Sequence, residues 1–181
     1  MANLKLATVW LGGCSGCHMS FLDLDEWLME LAHLVDLVFS PLADMKVFPD
    51  DVDITLVEGA VSNQEQEHFA KSLRSRSKIV VSFGDCAVTG NVTALRNPLG
   101  GADEVLRPIY LDSTRVTNPK VPDDRTVVPL LTDRVLPVHA VIPVDFYVPG
   151  CPPSPNRIRS VLEALITGRD PRPATEFWTF G

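Results

Sequence analysis

Five runs of mostly apolar residues, each about as long as a β-strand, recur along the chain. They cover residues 5–11, 36–42, 53–61, 78–84 and 145–148. Near-continuous apolar runs are typical of strands with two buried faces, as in parallel sheets that are covered by helices. The pattern therefore predicts an α/β fold around a parallel sheet.

Helical patterns separate or follow these runs. A first helix is predicted from about Ser20, because apolar residues recur there at helical spacing. These residues are Phe21, Leu24, Leu28, Leu31 and Val35. A second helix is predicted to begin at Ser62, which forms a capping-box pattern with Glu65. A third is predicted to be capped by Ser154, with Pro155 at its first position. Strands flanked by helices in this way predict a doubly wound sheet of the flavodoxin-like type.

The alternation fails between about residues 97 and 144. Prolines that break long elements occur there at Pro98, Pro108, Pro119, Pro122, Pro129, Pro137 and Pro143. We expect a long irregular insertion in a single domain that spans residues 1–181. The end of the chain, about residues 169–181, is also irregular. It carries the aromatic residues Phe177, Trp178 and Phe180. Such a tail is expected to dock on a partner or, equally, to pack on its own domain.

Composition narrows the class of protein. The 181 residues have a formal net charge of −7, whereas a nucleic-acid surface needs a basic stripe. No apolar run approaches the ~20 residues of a membrane span. The first residues, MANLKLATVWLGG, lack the basic and long apolar regions of a signal peptide. We therefore expect a soluble cytoplasmic protein, whose cysteines more often bind metal or carry out redox chemistry than form structural disulfides.

The four cysteines each follow a predicted strand. Cys14 and Cys17 follow the first strand, Cys86 the fourth and Cys151 the fifth. Parallel strands end at one edge of a sheet, so the loops that follow them should meet there and bring the thiols into one site. Spacing alone leaves three interpretations open. An iron–sulfur cluster suits one pair joined by two single ligands, and the alternatives are a zinc ion or a redox-active dithiol.

The sequence around the cysteines is more specific. The segments GGCSGCHMS, LVEGAVSN, SFGDCAVTGNV and VPGCPPSP together resemble the small subunit of nickel–iron hydrogenases, in order and over most of the chain. The iron–sulfur subunit of respiratory NADH dehydrogenase looks similar, but it has two adjacent cysteines where this chain has Cys-Ser-Gly-Cys. The resemblance implies that one 4Fe–4S cluster, the one nearest the nickel–iron centre, is held by Cys14, Cys17, Cys86 and Cys151.

The resemblance also implies a role and partners. The chain looks like the short, one-cluster form of cytoplasmic NAD(P)-linked bidirectional hydrogenases, because it shows no twin-arginine signal and no further cysteines. Dihydrogen would be split at the nickel–iron site of a separate large subunit. This chain would relay electrons between that site and diaphorase subunits that carry flavin and iron–sulfur clusters. An FMN bound to this chain is a less favoured option that the flavodoxin-like sheet invites.

One carboxylate is singled out beside the cysteines. Glu58, in LVEGAV, ends the third predicted strand and should point to the same edge of the sheet. It is a candidate proton relay or cluster-adjacent carboxylate, and a purely hydrogen-bonded carboxylate is the alternative. Structural roles are expected for Asp85, Thr89 and His18, with a bond from His18 to a cluster sulfur as the alternative for that residue. Surface or packing roles are expected for the other histidines.

Two other functions fit the same cysteines. The chain could be the iron–sulfur subunit of a quinone-reducing complex from the same superfamily. It could also be a zinc-stabilised scaffold protein without electron transfer. A brown protein with a paramagnetic signal in the reduced state would exclude the scaffold.

Overall fold

A five-stranded parallel sheet forms the centre of the computed structural model, which describes residues 3–115 and 117–171. The strands in this part of the chain are β1 (Leu4–Trp10), β2 (Val35–Phe39), β3 (Val52–Glu58), β4 (Val61–Asn63), β5 (Ser77–Phe83), β6 (Leu131–Leu136) and β7 (Phe146–Val148). The parallel order is β2-β1-β3-β5-β7, and β4 pairs with β6 in a separate antiparallel ribbon. This is a doubly wound order, so the predicted α/β fold is confirmed.

Helices cover both faces of the sheet. They are α1 (Gly16–Leu22), α2 (Trp27–Leu34), α3 (Gln64–Ser75), α4 (Asp85–Thr89), α5 (Ala102–Tyr110) and α6 (Pro155–Ile166). One apolar core lies between the sheet and α1, α2 and α6, and it includes Phe21, Leu31 and Leu162. The other lies against α3 and α4 and includes Leu73 and Ala87. Alternate strand residues enter each core, which explains the continuous apolar runs in the sequence.

Four strands end level with one another. Trp10 pairs with Glu58, Glu58 with Phe83, and Phe83 with Val148, and each of these residues is the last of its strand. The segments that follow β1, β5 and β7 therefore start in one row, and they carry all the cysteines. Adjacent strands lie roughly 4.8 Å apart, so this row places distant parts of the sequence within reach of one another.

The first predicted helix is interrupted. Instead of one helix from about Ser20, the chain forms α1 and α2, separated by a turn in which Asp25 has a left-handed backbone with φ 49°. The prediction of one continuous helix is therefore wrong. Leu24 and Trp27 flank the turn and enter the same core, so the apolar spacing does not reveal the break. Strand β2 also ends earlier than predicted, at Phe39.

The start of α3 differs from the predicted capping box by one residue. Asn63 is the capping residue, and its Oδ1 accepts a hydrogen bond of 2.8 Å from the Gln66 N–H. The Gln66 side chain reaches back and accepts from the N–H and the hydroxyl of Ser62. The predicted pairing of Ser62 with Glu65 is therefore wrong, although the helix begins close to the expected place. The cap and first-position proline predicted for α6 are confirmed.

The described part of residues 97–144 adds no strand to the five-stranded sheet, as expected of an insertion, but it is less irregular than predicted. It begins within the 3₁₀ helix Asn91–Leu99 and contains α5 and β6. Pro108 lies near the end of α5, which stops at Tyr110. The proline therefore limits the length of the helix instead of preventing it.

Two further predictions concern the C-terminal tail and membrane-spanning segments. The expected docking tail falls mostly on residues 172–181, including its aromatic residues, and these lie outside the described part. Among the described helices, none has the length and apolar character needed to cross a membrane.

Candidate iron–sulfur site

The thiols of the four cysteines meet at the carboxyl edge of the sheet. They line one cavity of about 80 Å³ together with Glu58 and Asp85. The thiols are Cys14, Cys17, Cys86 and Cys151, and all are free of disulfide bonds. The expectation that the loops after parallel strands would bring them together is met.

The thiols differ in their exposure. Cys17, in α1, and Cys86, in α4, are buried, whereas Cys14 and Cys151 are exposed. We refer to Cys17 and Cys86 as the inner pair and to Cys14 and Cys151 as the outer pair. The cavity is therefore formed against the protein interior on one side and faces outward on the other.

Burial raises the pKa of both inner thiols. For Cys17, desolvation is the main cause, followed by the negative charge of Glu58 and of the other cysteines. For Cys86, desolvation again raises the pKa, and a hydrogen bond with Thr93 acts in the opposite direction. Thiols in such surroundings become thiolates when a cationic centre compensates their charge. The inner pair thus suits a metal cofactor better than a free reactive dithiol.

Two glycines make room for sulfur atoms. Gly84 has φ 84°, and a Cβ at this position would overlap the Sγ of Cys17. The N–H of Gly16 donates to the Sγ of Cys14 at 3.4 Å.

Within residues 3–115 and 117–171, no three His, Cys, Asp or Glu side chains are grouped closely enough to hold one metal ion. Four thiols that line one cavity are the donor set typical of a 4Fe–4S cluster.

Asp85 connects the segment of Cys86 to the loop of Cys151. Its Oδ1 accepts a hydrogen bond of 2.7 Å from the N–H of Gly150, and its own N–H donates to the Gly150 carbonyl at 2.9 Å. The Thr89 hydroxyl in turn donates to the Asp85 carbonyl at 2.9 Å. These contacts support the structural roles that were predicted for Asp85 and Thr89.

Glu58 lies at the predicted edge and is 1% exposed. Its carboxylate accepts hydrogen bonds from the N–H groups of His18, at 2.9 Å, and Cys17, at 3.4 Å. The same carboxylate contacts Nδ1 of the His18 ring. A buried carboxylate with several donors is stabilised by them, and it fixes the donors in return. Glu58 therefore holds the start of α1, and with it Cys17, in place.

His18 has the structural surroundings that were expected of it. Its ring is buried between Glu58 and Phe83, whose ring lies edge-on at 6.3 Å between centroids. The other histidines do not line the cavity, and all are exposed: His33, His68 and His139.

Asn91 is a candidate functional residue that the sequence motifs do not reveal. Its Nδ2 donates a hydrogen bond of 3.3 Å to the Sγ of Cys151. Nearby, the Thr93 hydroxyl donates to the carbonyl of Gly12 at 3.1 Å. The only sequence signal was position, because Asn91 closely follows Cys86 in SFGDCAVTGNV.

Sequence comparison agrees with this geometry. The family described as NADH ubiquinone oxidoreductase, 20 Kd subunit, matches residues 14–165. A subunit of the F420-non-reducing hydrogenase of Methanothermobacter marburgensis is 41% identical over 93% of this chain. This chain covers 55% of that protein, so it spans about half the length of such relatives. NAD-reducing hydrogenase HoxS subunit delta of Cupriavidus necator is 40% identical over 92% of this chain and 80% of its own length.

Solved structures give the same result. A chain in the crystal structure of an NAD+-reducing [NiFe]-hydrogenase in the H2-reduced state matches with a TM-score of 0.93 and 36% identity, over 99% of both chains. A [NiFeSe]-hydrogenase of Dm. baculatum matches with a TM-score of 0.57 and 17% identity, over 92% of this chain and 63% of that one, which shows a shared fold. This chain therefore belongs to the NADH ubiquinone oxidoreductase 20 Kd subunit family and, within it, to the small subunits of nickel–iron hydrogenases.

Proposed function

We propose that this chain is the electron-transfer small subunit of a cytoplasmic, NAD(P)-reducing nickel–iron hydrogenase. The observation that carries the proposal is the convergence of the four cysteine thiols in one cavity. Cys14, Cys17, Cys86 and Cys151 would hold one 4Fe–4S cluster. When bound, such a cluster supplies a one-electron redox centre between the hydrogen-splitting site and the electron acceptor.

The residues of this chain would bind and orient that centre. The inner pair supplies ligands from the interior of the fold, and Glu58 and Asp85 fix the segments that carry them. The site that splits dihydrogen would lie on a separate large subunit. The four thiols of this chain line one cavity, and the proposed cluster would engage all of them.

Partners are inferred from the exposed side of the cavity. The outer pair is exposed, and large apolar side chains nearby along the chain are also accessible, with Trp10 48%, Met19 56% and Leu22 40% exposed. Accessible apolar groups beside a redox site are typical of a surface that a partner covers. We assign this side to the large subunit, and we place diaphorase subunits with flavin and iron–sulfur clusters further along the electron path. An FMN on this chain stays a prediction that flavin analysis of the purified subunit tests.

The electron acceptor is inferred from the relatives. The Cupriavidus necator protein and the structure with a TM-score of 0.93 are both named as NAD-reducing. Relatives of similar identity are named F420-non-reducing hydrogenases, and the family name refers to ubiquinone. A different acceptor is therefore the second candidate. Hydrogen-driven reduction of NAD, NADP and a quinone by the purified complex separates these candidates, and nickel in that complex distinguishes a hydrogenase from a quinone reductase.

The ligand assignment is tested by Cys86→Ser in the purified complex. We expect loss of iron–sulfur absorbance and of hydrogen-driven NAD(P) reduction, because a hydroxyl is a poor substitute for a buried thiolate. Val88→Ser is the matched control, since it introduces the same side chain into α4 at a position that does not line the cavity. Full cluster content and full turnover in Cys86→Ser would refute the assignment.

For Glu58 we propose the role of a cluster-adjacent carboxylate that fixes Cys17, and proton relay stays a prediction. Glu58→Gln keeps the shape of the side chain and one hydrogen-bond acceptor. If Glu58 moves protons, this variant should turn over more slowly while its iron–sulfur absorbance stays intact. Unchanged turnover with an intact cluster would remove Glu58 from proton transfer and leave only its structural role.

A further inference from the structure

The turn between α4 and the 3₁₀ helix Asn91–Leu99 touches the outer side of the cavity. Asn91 Nδ2 donates to Cys151 Sγ at 3.3 Å, although the two residues are 60 positions apart in the sequence. The side-chain amide is a neutral donor that cannot lose a proton under physiological conditions. It is therefore a fixed source of positive potential beside this sulfur atom.

The backbone of the turn holds this amide in place. Gly90 and Asn91 both have positive φ angles, 88° and 37°. The left-handed region is open to glycine and is tolerated by asparagine far better than by most residues. The N–H of Asn91 donates to the Thr89 hydroxyl at 3.3 Å, and Thr93 anchors the far end of the turn on Gly12. Glycine would suit the backbone at position 91 without strain, so the amide itself is what asparagine adds.

Cys151 is exposed, so the hydrogen bond from Asn91 is a fixed part of otherwise variable surroundings of its sulfur atom. The inner thiols are enclosed by the protein, which fixes their surroundings. The sulfur of Cys151 faces outward, where its surroundings depend on solvent and on a partner. The Asn91 amide supplies this sulfur with a donor that belongs to the chain itself.

We propose that Asn91 is a positioning residue that raises the reduction potential of the cluster by donating to the Cys151 thiolate. The proposal rests on the proposed function, in which Cys151 is a cluster ligand. The reduced form of an iron–sulfur cluster carries one more negative charge than the oxidised form. An N–H···S bond stabilises the form with more charge on sulfur, so it favours reduction. Removing the donor should lower the potential, and replacing it with a carboxylate should lower it further.

The test is a redox titration of the intact complex, followed by electron paramagnetic resonance of the reduced cluster. Asn91→Gly removes the amide and suits the positive φ angle. Asn91→Asp keeps the shape but places a negative charge beside the sulfur. We expect Asn91→Asp to shift the one-electron equilibrium at least tenfold toward the oxidised form, which corresponds to ~59 mV. Asn91→Gly should shift it in the same direction by less.

Asn3→Asp is the matched control for charge. It makes the same chemical change on an exposed residue at the opposite end of the sheet, where Asn3 contacts Asp36. Its potential should equal that of the unmodified complex. Unchanged potentials in both Asn91 variants with the cluster intact would overturn the role of Asn91.

A second measurement does not depend on the potential. With ¹⁵N in the asparagine side chains, the reduced cluster should show a nitrogen hyperfine coupling that disappears in Asn91→Gly. Persistence of this coupling in Asn91→Gly would also overturn the proposal. If the unmodified complex shows no reducible 4Fe–4S signal, the proposed function itself fails, and the role of Asn91 fails with it. An intact cluster with unaltered properties in the variants removes Asn91 alone.

Discussion

The inner and outer halves of the site are built in different ways. Cys17 and Cys86 lie in the helices α1 and α4 and are buried, and Cys17 is packed against Gly84 and its N–H donates to Glu58. Cys14 and Cys151 lie on exposed loops, and their donors are the N–H of Gly16 and the amide of Asn91. Burial and the hydrogen bonds of Glu58 fix the inner half, whereas the outer half depends on a few exposed hydrogen bonds and on the partner that covers it.

Replacing one ligand from each half should give the largest effects and the clearest contrast. We expect Cys17→Ser to lose nearly all cluster iron, because neither water nor another side chain can replace a thiolate at a buried position. Cys151→Ser should keep a measurable fraction, since water or the new hydroxyl can complete the site from the open side. Iron and sulfide analysis of the purified complexes measures both. Equal loss from both variants would show that the two halves are equivalent.

Gly84→Ala tests how tightly the inner half is packed. The added methyl group would overlap the Cys17 Sγ, so we expect loss of most cluster iron and a lower melting temperature. Gly168→Ala is the control, because Gly168 also has a positive φ angle, 68°, but an added Cβ meets nothing within 4 Å. That control should lose only the ~1–2 kcal/mol of a left-handed alanine and keep its iron. A Gly84→Ala complex with full iron would show that the inner half can relax.

Asp85→Asn tests the connection between the halves. The neutral amide weakens the charge-assisted hydrogen bond from the Gly150 N–H, so Cys151 should be held less firmly. We expect cluster affinity to fall by roughly 10–100-fold, as for other residues that support metal ligands. Iron release to a chelator measures this change. Asp44→Asn, at a highly exposed ion pair with Lys46, is the control and should behave like the unmodified protein.

The smallest effect is expected for Ser154→Ala. The Ser154 hydroxyl caps α6 by accepting from the N–H of Arg157. Its loss should lower the free energy of unfolding by about 1 kcal/mol, without changing the iron content. Thermal unfolding of the complex, with iron analysis alongside, checks both expectations. Iron loss from Ser154→Ala would mean that the position of the Cys151 loop depends on α6.

The features that the sequence predicts correctly are those that depend on periodicity and on strand order. Buried parallel strands produce unmistakable apolar runs, and their shared carboxyl edge brings the cysteines together and places Glu58 beside them. The break at Asp25 is invisible in the apolar pattern, because both sides of the turn enter one core. The contact of Asn91 with Cys151 depends on how two distant loops approach each other, which no local pattern encodes. The exposure of the outer pair likewise follows from three-dimensional packing.

β5 pairs directly with β7, although a long connection separates the two strands in the sequence. The position of the metal site at their ends therefore does not depend on the length of that connection. β5 and β7 form three residue pairs, the last of which joins Phe83 and Val148. This register sets the relative positions at which the segments that carry Cys86 and Cys151 leave the sheet. The described part of residues 97–144, which lies between these strands, adds no strand to the five-stranded sheet, so it does not set this register. Additions or deletions in the mostly exposed residues 117–130 should thus be compatible with an unchanged metal centre. We expect related chains to differ most in this segment, and adaptation to different neighbouring subunits to accumulate there.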